Sequence, residues 1–272
     1  MPQIKLLLGL TSYKDFIGTN CASESEILIN LGLQNHGNSQ AYASDPLGVG
    51  ALIVTNDNNI IFIRRSGQCA EFPFMVDRPG GHPEPDDVIA KAGEDFQNMD
   101  PSLILEEIFD SILKEVTEEV NIPIQNLSSP VLLGVSYNPL TMRTPSLEFY
   151  LKCDFSTNEI KELYTRLIKV DIEESTELII IPVEEVLDND LEKLKYYDQL
   201  TFGAKASVSH LHFCHQLRGS ESSGSADSSV NDSLDIWYEF ESFVVLNVFR
   251  SEGRTLVGNN SRRISEEQLV GS

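Results

Sequence analysis

The sequence feature that most constrains the fold is a long helical pattern near the middle of the chain. Apolar residues recur at three- and four-residue steps from Leu105 to Val116, which is the spacing of an amphipathic helix. Ser102 is the predicted N-cap of this helix. Asn121, which tolerates the left-handed conformation, is its predicted end, and Pro123 follows just beyond.

The carboxyl end of this helix carries three acids on one side. Glu115, Glu118 and Glu119 are spaced at i, i+3 and i+4, so their side chains lie within reach of one another. A run of like charge is usually a solvated face, but carboxylates this close repel each other unless a cation lies between them. Hard oxygen ligands at this spacing suit Mg²⁺ or Mn²⁺ bridging to a phosphate.

Composition restricts the partners and the compartment. The 20 Lys and Arg against 42 Asp and Glu give a net charge of −22, which argues against binding nucleic acid or an anionic membrane. The apolar start of the chain is too short for a secretory signal. The four scattered cysteines lack a CxxC spacing and are predicted to be reduced thiols. We therefore predict a cytoplasmic protein, with the nucleus as a second location.

Short strands and helices alternate along the chain, which predicts an α/β architecture around a mixed sheet. Residues 71–85 are rich in proline and glycine and are predicted to form a loop. The predicted strands are residues 3–10, 50–56, 59–65, 130–137, 146–153 and 177–182, and the further helices are residues 23–32, 157–170, 183–195 and 203–217.

A glycine pair precedes the acidic helix. Residues 78–85 form a tight turn in which Gly80 and Gly81 let backbone amides approach a ligand closely. Together with the helix, this turn resembles the Nudix box, in which a glycine and a glutamate precede Arg-Glu-apolar-x-Glu-Glu-x-Gly-apolar. Glu106 lies eight residues before Lys114, which is the spacing of that box. We predict Glu106 on the same side of the helix as the acids, where it could hold Lys114 or a water, with a solvent-facing acid as the alternative.

The box of this chain departs from the family pattern at three points. Lys114 replaces the arginine, Asn121 replaces the glycine, and the segment between Gly81 and Glu106 is longer than usual. Lysine keeps the positive charge but loses the bidentate fork of arginine. The longer segment is expected to extend the loop without moving the acidic face of the helix.

Other segments narrow the resemblance to the UDP-glucose pyrophosphatase (UDP-sugar diphosphatase) branch of that family. These are residues 8–20, residues 45–50 and the turn at 79–85, and the match extends over roughly residues 3–217. The resemblance implies a Nudix-like α/β/α sandwich with a mixed β-sheet and a metal-binding Nudix helix. It also implies Mg²⁺-dependent hydrolysis of UDP-glucose and UDP-galactose to UMP and sugar 1-phosphate.

The resemblance further implies the site residues. Glu115 and Glu119 would hold Mg²⁺, with Mn²⁺ as the alternative metal, and Glu118 or Glu115 would be the general base. Arg65 would bind the diphosphate, although a surface charge at a strand end is the alternative. The implied substrate contacts are Tyr13, Arg65, Ala70, Asp77, His82, Glu84 and Gly203.

Two other functions stay open at this stage. The atypical box favours a catalytically weak nucleotide-binding or interaction protein on the same fold. A hydrolase of another nucleoside diphosphate, such as ADP-ribose, is the third possibility. A zinc site is not predicted at His210, His212, Cys214 and His215, because His212 does not share a helical face with His210 and Cys214.

The last part of the chain changes composition abruptly. Residues 219–233 hold seven serines and two glycines, and such a segment cannot bury enough apolar surface to order itself. We therefore predict three parts. Residues 1–43 form an N-terminal strand and substrate-binding segment, residues 44–217 form the Nudix-like domain, and residues 218–272 form a flexible Ser-rich linker and a largely disordered tail.

Overall fold

The computed structural model describes residues 5–92, 100–168, 174–187, 190–221 and 243–249. Within these ranges no helix is both long and apolar enough to cross a membrane. The strands are β1 (Lys5–Thr11), β2 (Gly48–Val54), β3 (Asn59–Arg65), β4 (Val76–Asp77), β5 (Gly80–Gly81), β6 (Val131–Asn138), β7 (Thr144–Lys152), β8 (Ser175–Pro182) and β9 (Phe243–Phe249). The helices are α1 (Tyr13–Gly18), α2 (Ser25–His36), α3 (Pro85–Ala92), α4 (Pro101–Val120), α5 (Thr157–Ile168), α6 (Val183–Leu187) and α7 (Phe202–Glu221).

A mixed sheet forms the centre of the molecule. Its main path runs β4-β3-β2-β7-β6, with β8 added beside β3 and β5 beside β2. Strands β2 and β3 form an antiparallel hairpin from the strands predicted at residues 50–56 and 59–65, whereas β2 and β7 run parallel. Parallel neighbours need a long crossover, and α4 lies within the one that joins β2 to β7.

Alternating side chains of the central strands supply two cores, one on each face of the sheet. On β2, Ala51 and Ile53 pack with Ile112 of α4, while Leu52 faces the opposite way and packs with Val208 of α7. Helices α4 and α5 cover the first face, and α6 and α7 cover the second. The α/β/α sandwich with a mixed sheet is thus confirmed, because a sheet that is apolar on both faces needs a helical layer on each.

The N-cap of α4, the helix that carries the acids, lies earlier in the chain than predicted. Asp100, not Ser102, is its N-cap: the Asp100 side chain accepts the backbone N–H of Ser102 at 2.9 Å. Pro101 then occupies the first turn, where its missing N–H costs nothing. The predicted end is confirmed, since Asn121 adopts the left-handed conformation with φ 64°.

Three other boundaries differ from the sequence expectations. The predicted loop at 71–85 contains β4 and β5, because its backbone reaches the edges of β3 and β2. The acidic stretch after it begins with α3. Helix α6 ends at Leu187 rather than near residue 195, and short 3₁₀ turns follow at Leu191–Lys193 and Tyr197–Gln199.

Parts of the predicted tail fall within the described residues. Helix α7 continues to Glu221, and β9 pairs with β1 in a parallel, two-stranded sheet. Residues 243–249 of the predicted tail therefore form a strand. Residues 222–242 and 250–272 lie outside the described residues, as do residues 3–4 of the predicted first strand, and the domain boundaries stay a prediction.

Candidate active site

Two carboxylates of α4 hold the glycine turn. Glu119 Oε2 accepts the backbone N–H of Gly80 at 2.8 Å, and Glu115 accepts the backbone N–H of His82. A Cβ atom on Gly81 would overlap the Glu115 carboxylate, and one on Gly80 would overlap the carbonyl of Val49. The turn therefore needs both glycines, and Glu115 and Glu119 share one side of the helix as predicted.

The same two carboxylates are electrostatically strained. Burial, together with the charge of nearby acids, raises the pKa of Glu115 to about 7 and that of Glu119 to about 8. Glu174, in the loop before β8, is one of the acids acting on both. Such a group of carboxylates binds a cation readily, because a cation removes their mutual repulsion.

The other acids of α4 differ in how exposed they are. Glu118 is exposed and close enough to Glu115 to raise its pKa. Glu106 is also exposed, and the prediction that it shares the side of Glu115 is wrong, because nine residues along a helix correspond to a half-turn offset. Glu107 is buried instead and accepts the hydroxyl of Ser111 at 3.1 Å.

Lys114 pairs with α3 rather than with Glu106. Its Nζ lies 3.4 Å from Asp87 Oδ2, and both side chains are about half exposed. The neighbouring Glu84 is partly buried, which raises its pKa, while the charge of Lys114 lowers it. Glu84 therefore lies on the α3 side of the turn, within electrostatic reach of α4.

Arg65 lies within electrostatic reach of the glycine turn. Arg65 donates from Nε to the carbonyl of Glu71 at 3.0 Å and from Nη1 to Asp77 Oδ2 at 3.4 Å. Burial and the charges of Arg78 and Arg65 lower the pKa of His82 to about 4. Because the backbone of His82 contacts Glu115, the charge of Arg65 acts on the same region as the acidic pair.

The Arg64 side chain lies on the opposite face of β3 from that of Arg65, because successive side chains of a strand alternate between its faces. Its Nε lies 2.8 Å from Glu177 Oε2, and its Nη1 donates to the carbonyl of Phe74 and to Gln199 Oε1. The two adjacent arginines therefore have separate partners, and of these two it is Arg65 that bonds to Asp77.

A buried ion pair beneath the turn was missed by the sequence analysis. The guanidinium of Arg78 bonds to both oxygens of Glu148, Nε to Oε2 at 2.9 Å and Nη2 to Oε1 at 3.0 Å. Glu148 is fully buried. A glutamate between Leu147 and Phe149 of a core strand was the feature of the sequence that could have indicated it, because a buried charge needs a partner.

The remaining predicted contacts lie at different depths. Gly203, at the start of α7, packs against Arg78, whose guanidinium a Cβ there would overlap. Ala70 is exposed in the loop between β3 and β4. Tyr13 is 52% exposed on α1, with its ring centroid 6.3 Å from that of Phe16. The roles of these residues in binding stay predictions.

The described residues include no group of three or more His, Cys, Asp or Glu side chains arranged to hold a metal ion. The donor chemistry of Glu115 and Glu119 nevertheless fits a hard divalent cation, because both are partly buried carboxylates repelled by neighbouring acids. His212, one of the four residues at which no zinc site is predicted, donates from Nδ1 to the carbonyl of Val186 at 2.7 Å.

Known proteins are similar to this chain over most of its length, although no family model matches it. The chain is 40% identical over 207 residues to the mouse uridine diphosphate glucose pyrophosphatase NUDT22, covering 76% of this chain and 66% of that protein. It is 39% identical to the bovine protein of the same name, covering 76% and 70%. It is 38% identical to Nudix hydrolase 9 of Arabidopsis thaliana, covering 68% and 60%.

The chain belongs to the Nudix hydrolase family. In Nudix terms, α4 is the Nudix helix and Gly80–Gly81 is the glycine turn before it. The chain spans about two thirds of the length of the mouse relative.

Proposed function

We propose that this Nudix protein hydrolyses UDP-glucose, and also UDP-galactose, to UMP and sugar 1-phosphate in a Mg²⁺-dependent reaction. The observation that carries the proposal is that Glu115 and Glu119 both bond to the glycine turn, which lies within electrostatic reach of Arg65. The names of the animal relatives support the choice of a uridine diphosphate sugar as substrate.

Glu115 and Glu119 are the residues that would hold Mg²⁺, with Mn²⁺ as the alternative. A bound ion would neutralise the charge that develops on the phosphate and lower the pKa of the attacking water. The hydrogen bonds from Gly80 and His82 fix both carboxylates before any ligand arrives, so binding requires little rearrangement.

Glu118 is the candidate general base, with Glu115 as the alternative. It is exposed at the rim of the acidic side, where it can accept a proton from water that attacks a phosphorus. The proton then leaves Glu118 for solvent or for the departing phosphate. Arg65 opposes the negative charge of the diphosphate, which the acidic helix alone would repel.

The other substrate contacts that we propose surround these groups. His82 and Glu84 flank the glycine turn, so each can reach a ligand held there. Tyr13 offers an exposed ring on which uracil can stack. The complete set of contacts that the family resemblance implies is Tyr13, Arg65, Ala70, Asp77, His82, Glu84 and Gly203.

A panel of nucleotide sugars tests the proposal. The protein is incubated with UDP-glucose, UDP-galactose and ADP-ribose, each with Mg²⁺, Mn²⁺ or EDTA, and the products are separated by chromatography. We expect UMP from both UDP-sugars, no product in EDTA, and loss of product in Glu119→Gln. Glu162→Gln on α5, where the side chain is exposed, is the matched control.

Each other outcome contradicts the proposal in a recognisable way. Cleavage of ADP-ribose alone would indicate a Nudix hydrolase of another nucleoside diphosphate. Tight binding of UDP-glucose without cleavage would indicate a nucleotide-binding protein. We further propose a cytoplasmic location, with the nucleus as a second one, and no nucleic-acid or membrane partner, and cell fractionation tests this part.

A further inference from the structure

Asp77 is buried, and one of its oxygens is fully engaged within the protein. Only 5% of the residue is exposed. Its Oδ1 accepts the Thr201 hydroxyl at 2.6 Å, the backbone N–H of Arg78 at 2.9 Å and Arg78 Nη1 at 3.1 Å. Three donors on one carboxylate oxygen leave it no capacity for a ligand.

The other oxygen of Asp77 faces Arg65. Arg65 Nη1 lies 3.4 Å from Asp77 Oδ2, and Arg65 Nε bonds to the carbonyl of Glu71 at 3.0 Å. These two bonds use Nε and Nη1, and neither uses Nη2. The Arg65 side chain is 25% exposed. The guanidinium is therefore held at two of its three nitrogens, while the side chain keeps exposed surface for a ligand.

A rigid support holds Asp77 in place. Arg78 is locked onto Glu148, whose two oxygens also accept the hydroxyls of Ser136 at 2.6 Å and Ser207 at 2.7 Å. A Cβ on Gly50 would overlap the Arg78 guanidinium, so that group has no room to move toward β2. The charge of Arg78 also balances Glu148, which leaves Asp77 to neutralise part of the charge of Arg65.

We propose that Asp77 is a positioning residue for Arg65, anchored by the Arg78–Glu148 pair and by Thr201, and that it does not contact the uracil or the sugar. This inference rests on the proposed function, because that function assigns Arg65 to the diphosphate. It changes the role of Asp77 from a substrate contact to a group that fixes the angle of the guanidinium before the ligand arrives.

The first test is kinetic. Asp77→Asn keeps the shape and an oxygen for Thr201 and Arg78, but it removes the charge and turns an amide N–H₂ toward Arg65. We expect KM for UDP-glucose to rise about tenfold and the ratio of kcat/KM between UDP-glucose and CDP-glucose to change less than twofold. In the Arg65→Ala background the same change is expected to add less than twofold, because the positioned group is gone.

A base or sugar contact predicts different results. If Asp77 touches uracil, Asp77→Asn changes the ratio between UDP-glucose and CDP-glucose by much more than twofold. If its effect multiplies fully with that of Arg65→Ala, the two residues act independently. Either result overturns the inference. Glu177→Gln is the matched control, since it removes the carboxylate partner of the neighbouring Arg64 on the other face.

The second test does not depend on catalysis. Inorganic diphosphate is titrated calorimetrically into the wild type, Arg65→Ala, Asp77→Asn and Thr201→Val. Weaker binding of diphosphate in all three variants, with the smallest loss of affinity in Thr201→Val, supports the inference even if UDP-glucose is not hydrolysed. Weaker binding in Arg65→Ala alone overturns it. Undiminished binding in Arg65→Ala also overturns it, because Arg65 is then not a phosphate ligand. Thr201→Val retains the buried charges, so it keeps the test informative if Asp77→Asn does not fold.

Discussion

Replacing Glu119 by glutamine is expected to stabilise the metal-free protein while removing its activity. Burial and nearby acids raise the pKa of Glu119 from 4.5 to about 8. The folded protein therefore binds this proton more tightly than the unfolded chain does. The resulting destabilisation is absent below about pH 4.5 and fully developed above about pH 8.

The size of the effect follows from this rise in pKa. At about 1.4 kcal/mol for each pH unit, ionisation of Glu119 at pH 8 lowers the free energy of unfolding by at most roughly 4 kcal/mol. The amide oxygen of glutamine can still accept the Gly80 N–H, but a neutral acceptor is weaker than a carboxylate. We therefore expect Glu119→Gln to gain about 1–3 kcal/mol at pH 8, which corresponds to roughly 3–8 °C in Tm.

Urea denaturation followed by circular dichroism in EDTA measures the difference at pH 8 and pH 5. At pH 5 the gain is expected to shrink below about 0.5 kcal/mol, because Glu119 is then protonated in the folded wild type. Added Mg²⁺ is expected to raise the Tm of the wild type more than that of the variant. Glu106→Gln, exposed on the same helix, is the control for the loss of a carboxylate. A variant less stable than wild type at pH 8, or a gain equal at both pH values, would refute the reasoning.

Three further changes test other parts of the structure. Arg65→Ala should reduce kcat/KM for UDP-glucose by a factor that corresponds to about 2–4 kcal/mol, while Arg64→Ala should change kcat/KM little. A larger loss in Arg64→Ala than in Arg65→Ala, measured by steady-state kinetics, would contradict the strand register. Glu148→Ala should lower the free energy of unfolding by about 3–5 kcal/mol, because the buried Arg78 loses the carboxylate that bonds its Nε and Nη2 and keeps only Asp77 as an acidic partner. An equally stable variant in urea denaturation would exclude a strong pair. Deleting residues 222–272 removes β9 from β1 and should lower Tm; an unchanged thermal melt would show that this pairing contributes nothing.

The parts of the fold that were predictable are those with local causes. The apolar repeat of α4 and the left-handed Asn121 follow from residues a few positions apart, so the helix and its end were correct. The hairpin of β2 and β3 follows in the same way from two β-branched runs and a short turn. The N-cap was wrong because Asp100 and Ser102 are both capable of capping, and Pro101 at the first helical position decides between them.

Sequence by itself determined that Glu115 and Glu119 share a helical side behind a glycine pair, because i and i+4 spacing is a property of the helix alone. Tertiary structure decided what surrounds them. The sheet register brings Glu148 beneath Arg78, and the loop before β8 brings Glu174 toward the acidic pair. Such contacts join residues far apart in the chain, so they depend on which strands become neighbours and on which face each side chain leaves, and local spacing carries no information about either.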